Sequence, residues 1–310
     1  MSNEINKFIK ELENEIKATG KEVETEEQLL RLQDIAKEYN GEDKIISSHE
    51  IEEMIKARPE EKKIMTGYAD LDAIIKGFRH KQLVVMSAAT KSGKTSFCIE
   101  LTTRMKDENP MWLPFEESAE ELIEKFIERK ERSPLFYTPA RMSGNTMVWV
   151  EKKIIESKAK HNTNVVFIDQ LDFLISYSAD NRADRIGDVM RNLKSIARKW
   201  DVLIFLICHL TKTKMDMQPT LEDLKGSSSI AQEADTVILL WREANKQNGE
   251  VEITDNVNIS VQANRRTGKT GNIKMRFDNG KFTEYDWKTR DDEIDGAYTG
   301  NKYKGDDWER

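Results

Sequence analysis

The sequence predicts an α/β fold: a central, mostly parallel β-sheet flanked by helices on both faces, with a short helical extension ahead of it. Three observations carry this. Between residues 64 and 286, continuous apolar runs alternate with amphipathic stretches, as buried parallel strands alternate with crossover helices. The stretch SAATKSGKTSF, residues 87–97, stands where the first apolar run passes into the first amphipathic one. A later run, NVVFID, ends on a carboxylate, Asp169.

The elements follow in order. In NKFIKELENEI the residues Ile5, Phe8, Ile9, Leu12 and Ile16 recur at helical spacing. A second helix is expected from Thr25, with Gln28 as capping-box partner, Leu29, Leu30, Leu32, Ile35 and Ala36 on its apolar face, and Gly41 at its end. A third begins near Ser47 with Glu50 as partner, carries Ile51, Met54 and Ile55, and closes at Pro59. Their apolar area is too small for an independent core, so they either stay solvated or dock on another surface, most simply a second copy of the chain. The core then reads QLVVMSA as strand and SFCIELTTRM as helix, MWLPF and SAEELIEKFIERK, NVVFID and DRIGDVMRNLKSIARKW, and finally the strands DVLIFLICHL, DTVILLW, VNISVQA and NIKMRF. Short connections make the late strands antiparallel. The expected divisions are an acidic helical extension or linker (1–60), the α/β domain (61–290) and an acidic, disordered tail (291–310).

Bulk properties narrow the function. The 310 residues carry a net charge of −7, unevenly placed. Residues 1–60 hold 9 basic and 16 acidic side chains and residues 291–310 hold 3 and 7, which leaves the central block at +4. An acidic total therefore does not argue against nucleic acid. No run of about 18 apolar residues exists, so a membrane partner is not expected. The N-terminus lacks an apolar signal core and the two cysteines, Cys98 and Cys208, lie in apolar runs, so a cytoplasmic protein with buried thiols is expected.

The loop has the chemistry of a phosphate cradle. Ala88 takes the place of the first glycine of G-x-x-x-x-G-K-[ST], while Gly93, Lys94 and Thr95 fit it. Successive backbone N–H groups at a helix N-terminus suit phosphate oxygens, and the cofactor-binding candidates are Ala88, Lys91, Ser92, Gly93, Lys94, Thr95 and Ser96. Lys94 reaches β- and γ-phosphates, and Thr95 with Asp169 supplies oxygen ligands for Mg²⁺. Glu116, just after MWLPF, is placed to deprotonate an attacking water. ATP and Mg²⁺ are the implied cofactors.

Several blocks together resemble one family. MTGYADLDAIIKGFRHKQLVVMSAATKSGKTSF resembles the start of the RecA-like P-loop ATPase domain of DnaB-type replicative helicases. That family often carries alanine at the position of Ala88. WLPFEESAEEL resembles its segment with the catalytic glutamate, here Glu116; VVFIDQLDFL its second magnesium-side strand; LICHLTK its sensor strand; PTLEDLKGSSSIAQEADTVILLWRE its DNA-loop region; NRRTGKTG its arginine-finger stretch. The resemblance spans roughly 64–286 with the motifs in order.

The resemblance implies a homo-oligomeric, six-membered ring that moves 5′ to 3′ on single-stranded DNA. It gives His209 the role of γ-phosphate sensor and Arg266 that of a finger reaching into the neighbouring subunit's ATP site. Bacterial members have a lysine where this chain has Asn264, and Arg265 is the candidate substitute. Arg242 matches an arginine near the nucleotide base in phage-type members. Lys225, Gly226, Ser227 and Ser228 occupy the DNA-contacting loop; Lys212 and Lys214 either add to a basic pore lining or are ordinary solvated lysines. Residues 47–58 take the place of a linker helix. The acidic tail is a candidate recruiter of primase, polymerase or helicase loader, or simply a solubilising segment. Two other classes stay open: a RecA- or RadA-like filament protein that pairs strands, and a regulatory or loader ATPase that never translocates.

Overall fold

The structure, a computed structural model, describes residues 44–57, 62–88, 92–130, 133–175, 182–210, 218–224, 227–247 and 250–285. The chain forms two compact units, Met1–Glu61 and Lys62–Arg310.

In the first unit one helix is described, α1 (Ser48–Ala57). Its start is the expected capping box: Glu50 N–H donates to Ser47 Oγ at 3.1 Å while Ser47 N–H donates to the Glu50 carboxylate at 2.8 Å. None of its residues is buried, and Ile51, Met54 and Ile55 form an exposed apolar stripe. The two helices expected further upstream, Pro59 and the 291–310 tail lie outside the described residues.

The second unit is built on one eight-stranded sheet. In chain order its elements are α2 (Ala69–Ile75), β1 (Leu83–Ala88), α3 (Lys94–Arg104), β2 (Met111–Pro114), α4 (Ala119–Lys130), α5 (Met147–His161), β3 (Val165–Asp169), α6 (Arg182–Lys199), β4 (Leu203–His209), α7 (Ser227–Glu233), β5 (Thr236–Gln247), β6 (Glu250–Asn264), β7 (Gly271–Asp278) and β8 (Lys281–Glu284). The strand order is β2-β3-β4-β1-β5-β6-β7-β8. The first five strands in that order run parallel, and their registers place Ala88 opposite His209 and Pro114 opposite Asp169. β6, β7 and β8 then meander antiparallel, as the short connections require. Asn279 and Gly280 turn β7 into β8, both with positive φ (45° and 78°), the conformation a two-residue hairpin demands.

Alternate residues of each parallel strand feed two cores. Val84, Met86, Phe167 and Phe205 face α2, α3 and α4; Leu83, Val85, Val166 and Leu206 face α5, α6 and α7. Across the first face Trp112 stacks on Phe167 and Phe167 on Phe205, each at 4.9 Å between centroids, so one aromatic ladder ties β2, β3 and β4 together. The Trp112 indole N–H donates to Thr102 Oγ1 of α3 at 2.9 Å, which satisfies its one polar atom.

α5 escaped the sequence reading. Its signal was present: Thr146 caps it by accepting from Trp149 N–H, and Val150, Ile154 and Ser157 are its buried face. A loop ahead of α2 is organised by one carboxylate. Asp72 accepts from Thr66 N–H (2.9 Å), Thr66 Oγ1 (2.9 Å) and Gly67 N–H (3.0 Å). Asp235 plays a similar part at the start of β1, accepting from Leu83 N–H at 2.7 Å and pairing with Lys194 of α6. Among the described residues no helix is long and apolar enough to cross a membrane.

Candidate nucleotide site

The site forms at the carboxyl ends of β1, β3 and β4, the edge where ligands of an open α/β sheet collect. β1 is buried throughout, ending at Ala88. Lys91 lies outside the described residues. Ser92 is buried, and Gly93 holds φ +92°, a left-handed conformation that a side chain would strain. A Cβ there would also stand 3.4 Å from the Phe282 ring. The first backbone bond of α3 runs from Phe97 N–H to Gly93 O, so the N–H groups of Lys94, Thr95 and Ser96 have no helical acceptor and are free to bind an anion.

Lys94 is buried, and its Nζ lies 3.0 Å from His209 Nδ1 and 3.4 Å from Ala88 O. Burial lowers the pKa of this amine, against the opposing pull of Asp169 and Glu116. With His209 Nδ1 accepting from the ammonium, the ring proton sits on Nε2, which lies 3.9 Å from Glu116 Oε1. Thr95 Oγ1 donates to Asp169 Oδ2 at 3.1 Å.

Asp169 is 2% exposed and its Oδ1 has no hydrogen-bond partner. Burial, reinforced by the charges of Glu116 and Glu117, pushes its carboxyl up to about 6, although the Thr95 hydroxyl and Lys94 pull the other way. A buried carboxylate oxygen without a partner, beside a threonine hydroxyl, fits a hard divalent cation that takes its remaining ligands from phosphate and water. Among the described residues no group of three or more His, Cys, Asp or Glu is arranged as a self-sufficient metal cage.

Glu116 is held where it is by backbone. The Asp169 carbonyl accepts from both Phe115 N–H (2.6 Å) and Glu116 N–H (3.1 Å), which pins the residues after β2 to the end of β3. Thr95, Glu116 and Asp169 line an open cavity of about 490 Å³, together with Glu117 and a face of α4 carrying Glu121, Glu124, Lys125 and Glu128. Lys125 pairs with Glu117. Sequence reasoning did not single out Glu117 and Lys125; their separation of eight residues across a helix start hides the pair. Cys98 and Cys208 are buried thiols, and burial pushes both up, Cys208 to about 12.

The other candidates are placed elsewhere. Arg266, on the β6–β7 turn, donates from Nη2 to Lys76 O at 3.1 Å and does not line this cavity. Asn264 is buried, and its Oδ1 accepts from Thr267 N–H at 3.3 Å within the same turn. Arg265 donates to the Gln232 carbonyl on α7. Arg242 is tied into the β5–β6 hairpin: Nε donates to Thr254 O at 2.9 Å, and the guanidinium stands 5.4 Å over the Phe277 ring. Lys212, Lys214, Lys225 and Gly226 lie outside the described residues; Ser227 opens α7 and Ser228 is exposed on it. A bridge between Leu210 and Leu224 returns that stretch of chain to the residue after His209.

Comparison with known proteins agrees with this architecture. The profile of the DnaB-like helicase C terminal domain matches residues 63–136 and 133–286. The probable replicative DNA helicase of Trieres chinensis is 26% identical over 268 residues, which cover 72% of this chain and 57% of that protein. DnaB of Rickettsia bellii is 26% identical over 293 residues (73% and 58%), and DnaB of Geobacillus stearothermophilus 24% over 273 residues (77% and 60%). The chain thus spans little more than half the length of these relatives. Among solved structures, an ATPase domain solved by itself superposes with a TM-score of 0.64 at 22% identity, covering 77% of this chain and 96% of that one. A DnaB-like replicative helicase, solved in a study of its interactions with primase, superposes at 0.66 with 19% identity, covering 92% and 76%. The fold is the RecA-like ATPase core, and with the family profile matched from 63 to 286 this chain belongs to the DnaB-like helicase C-terminal domain family.

Proposed function

We propose that the protein is an ATP-dependent replicative DNA helicase that moves 5′ to 3′ on single-stranded DNA as a ring, hydrolysing ATP at subunit interfaces. The observation that carries this reading is the convergence of Lys94, Thr95, Glu116, Asp169 and His209 on one sheet edge, from four separate stretches of chain. The N–H groups from Gly93 to Ser96 cradle the phosphates, and Lys94 neutralises them. A bound Mg²⁺, held by Thr95 and Asp169, supplies charge neutralisation. Glu116 orients and deprotonates water. Arg266 acts on the neighbouring copy's nucleotide, which agrees with its absence from the lining of its own cavity.

A γ-phosphate competes with His209 for the Lys94 ammonium, so nucleotide state is felt at the end of β4. The stretch that follows, with Lys212 and Lys214 and then Lys225, Gly226, Ser227 and Ser228, contacts the DNA backbone. The exposed stripe of α1 supports residues 47–58 as the linker helix that packs on a second copy. Primase, polymerase or a helicase loader are the partner classes, and the compartment is the cytoplasm.

The test is strand separation on two forked DNA substrates, one with only a 5′ tail and one with only a 3′ tail, in ATP and Mg²⁺. Unwinding from the 5′ tail alone, lost in Lys94→Ala, is the expected result. DNA-stimulated hydrolysis without unwinding, with filaments in place of closed rings, would move the protein to the strand-pairing class.

A further inference from the structure

The two ends of β2 carry opposite charge. The acidic cavity opens beyond its carboxyl end at Pro114, while at its amino end, by Met111, lies a second cavity of about 330 Å³. Residues 137–141 form one wall of this second cavity. The other is a single face of α5, with Lys153, Glu156, Ser157, Lys160 and His161. It stands at the starts of the parallel strands, whereas Thr95, Asp169 and His209 stand at their ends.

The cavity is built rather than incidental. Tyr137 is fixed on both sides of its peptide: Trp112 N–H donates to its carbonyl and its own N–H donates to Pro110 O, each at 2.8 Å. Its ring stacks on His161 at 3.9 Å, making a rigid aromatic wall. Lys153 and Lys160 both approach Glu156 at 2.7 Å, and these two ammonium groups hold its carboxyl down to about 2. Each ammonium spends one of three donors there. Arg141 makes no ion pair or hydrogen bond among the described residues, and Thr138 Oγ1 is buried without a partner. Three cations against one carboxylate, on a chain of net −7, leave a local positive excess with unused donors.

We propose that this cavity is a docking site for an acidic segment of a partner protein, in which an Asp or Glu side chain enters to meet Arg141 and the free donors of Lys153, Lys160 and Thr138. Charge complementarity argues for the class of partner, and the planar fork of Arg141 suits a carboxylate. Two observations favour a peptide over nucleic acid. Glu156 stands between the lysines and interrupts any continuous row of cations that a phosphodiester backbone would follow. The cavity also lies at the end of the sheet opposite to Leu210 and Leu224, where the proposed DNA-contacting stretch leaves and rejoins the fold.

The experiment is fluorescence anisotropy of a fluorescein-labelled hexaglutamate peptide with the full chain at low salt. The variants are Arg141→Ala, Lys160→Ala, their double mutant, and Lys152→Ala as an exposed control on the same helix. Binding by the wild type and by Lys152→Ala, weakened about tenfold or more in the double variant while ATP hydrolysis and melting temperature stay unchanged, is expected. Equal binding by the double variant and the wild type, or none by the wild type, overturns the proposal. So does displacement of the peptide by hexathymidylate in a way that the same substitutions abolish, since the surface would then belong to nucleic acid.

Discussion

Lys94 Nζ lies 3.0 Å from His209 Nδ1, and Ala88 stands opposite His209 in the β1–β4 register, so the phosphate loop and the end of β4 are joined by side chains as well as by the sheet. The same imidazole turns its other nitrogen toward Glu116 at 3.9 Å. One ring therefore touches the group that binds phosphate and the group assigned to activate water. His209→Ala is expected to leave basal ATP hydrolysis within a few-fold of wild type and to cut its stimulation by oligothymidylate about tenfold, equivalent to ~1.4 kcal/mol of coupling. Hydrolysis rates with and without DNA measure it; full stimulation in the variant would remove His209 from the path.

Asp169 is a stability cost at neutral pH. Its folded pKa of about 6 lies above its ordinary 3.8, so the fold favours the protonated carboxyl. The folded state then binds more protons than the unfolded one between roughly pH 4 and 6, and stability falls as pH rises through that window. Asp169→Asn is expected to raise the nucleotide-free melting temperature at pH 7.5 by a few degrees, on the order of 1–3 kcal/mol, with the difference vanishing near pH 4. The same change should abolish Mg²⁺-dependent hydrolysis. Melting curves at both pH values check the first part, and a variant less stable than wild type at pH 7.5 would contradict it.

Arg266 is expected to act across an interface. Arg266→Ala should lower kcat by about 10³-fold or more and leave nucleotide binding nearly intact. Mixing Arg266→Ala with Glu116→Gln should restore part of the activity, because an intact Glu116 on one copy then meets an intact Arg266 on the next. Each variant inactive alone and the mixture equally inactive would place Arg266 outside the neighbour's site.

Asp72 organises the loop before α2 through three hydrogen bonds to Thr66 and Gly67. Asp72→Ala leaves those donors buried without an acceptor and should cost about 2–4 kcal/mol in denaturant unfolding, without moving the slope. Asp72→Asn, which keeps an acceptor at Oδ1, should lose less.

Legibility in the sequence followed physical range. The runs QLVVMSA, NVVFID and DVLIFLICHL declare buried parallel strands because burial on both faces leaves no polar alternation to hide them. The Ser47–Glu50 box and the loop glycine at 93 were equally plain, being local rules of capping and of φ. α5 was missed although Thr146, Val150 and Ile154 mark it, because its lysines and glutamates dilute the apolar period.

By itself, then, the sequence determined the α/β order, the loop that can hold phosphate, and the identity of Lys94, Thr95, Glu116, Asp169 and His209 as chemistry-bearing side chains. Each of these depends only on residues close in the chain. The tertiary structure decided the rest: that β1 lies beside β4 and not β2, which brings Lys94 to His209; that the Asp169 carbonyl pins Glu116; and that burial among Glu116 and Glu117 raises the Asp169 carboxyl. It also decided that Arg141 meets Lys160 across a rigid aromatic pair. Those relationships join residues tens of positions apart, and desolvation and charge proximity exist only once the sheet order has set the distances.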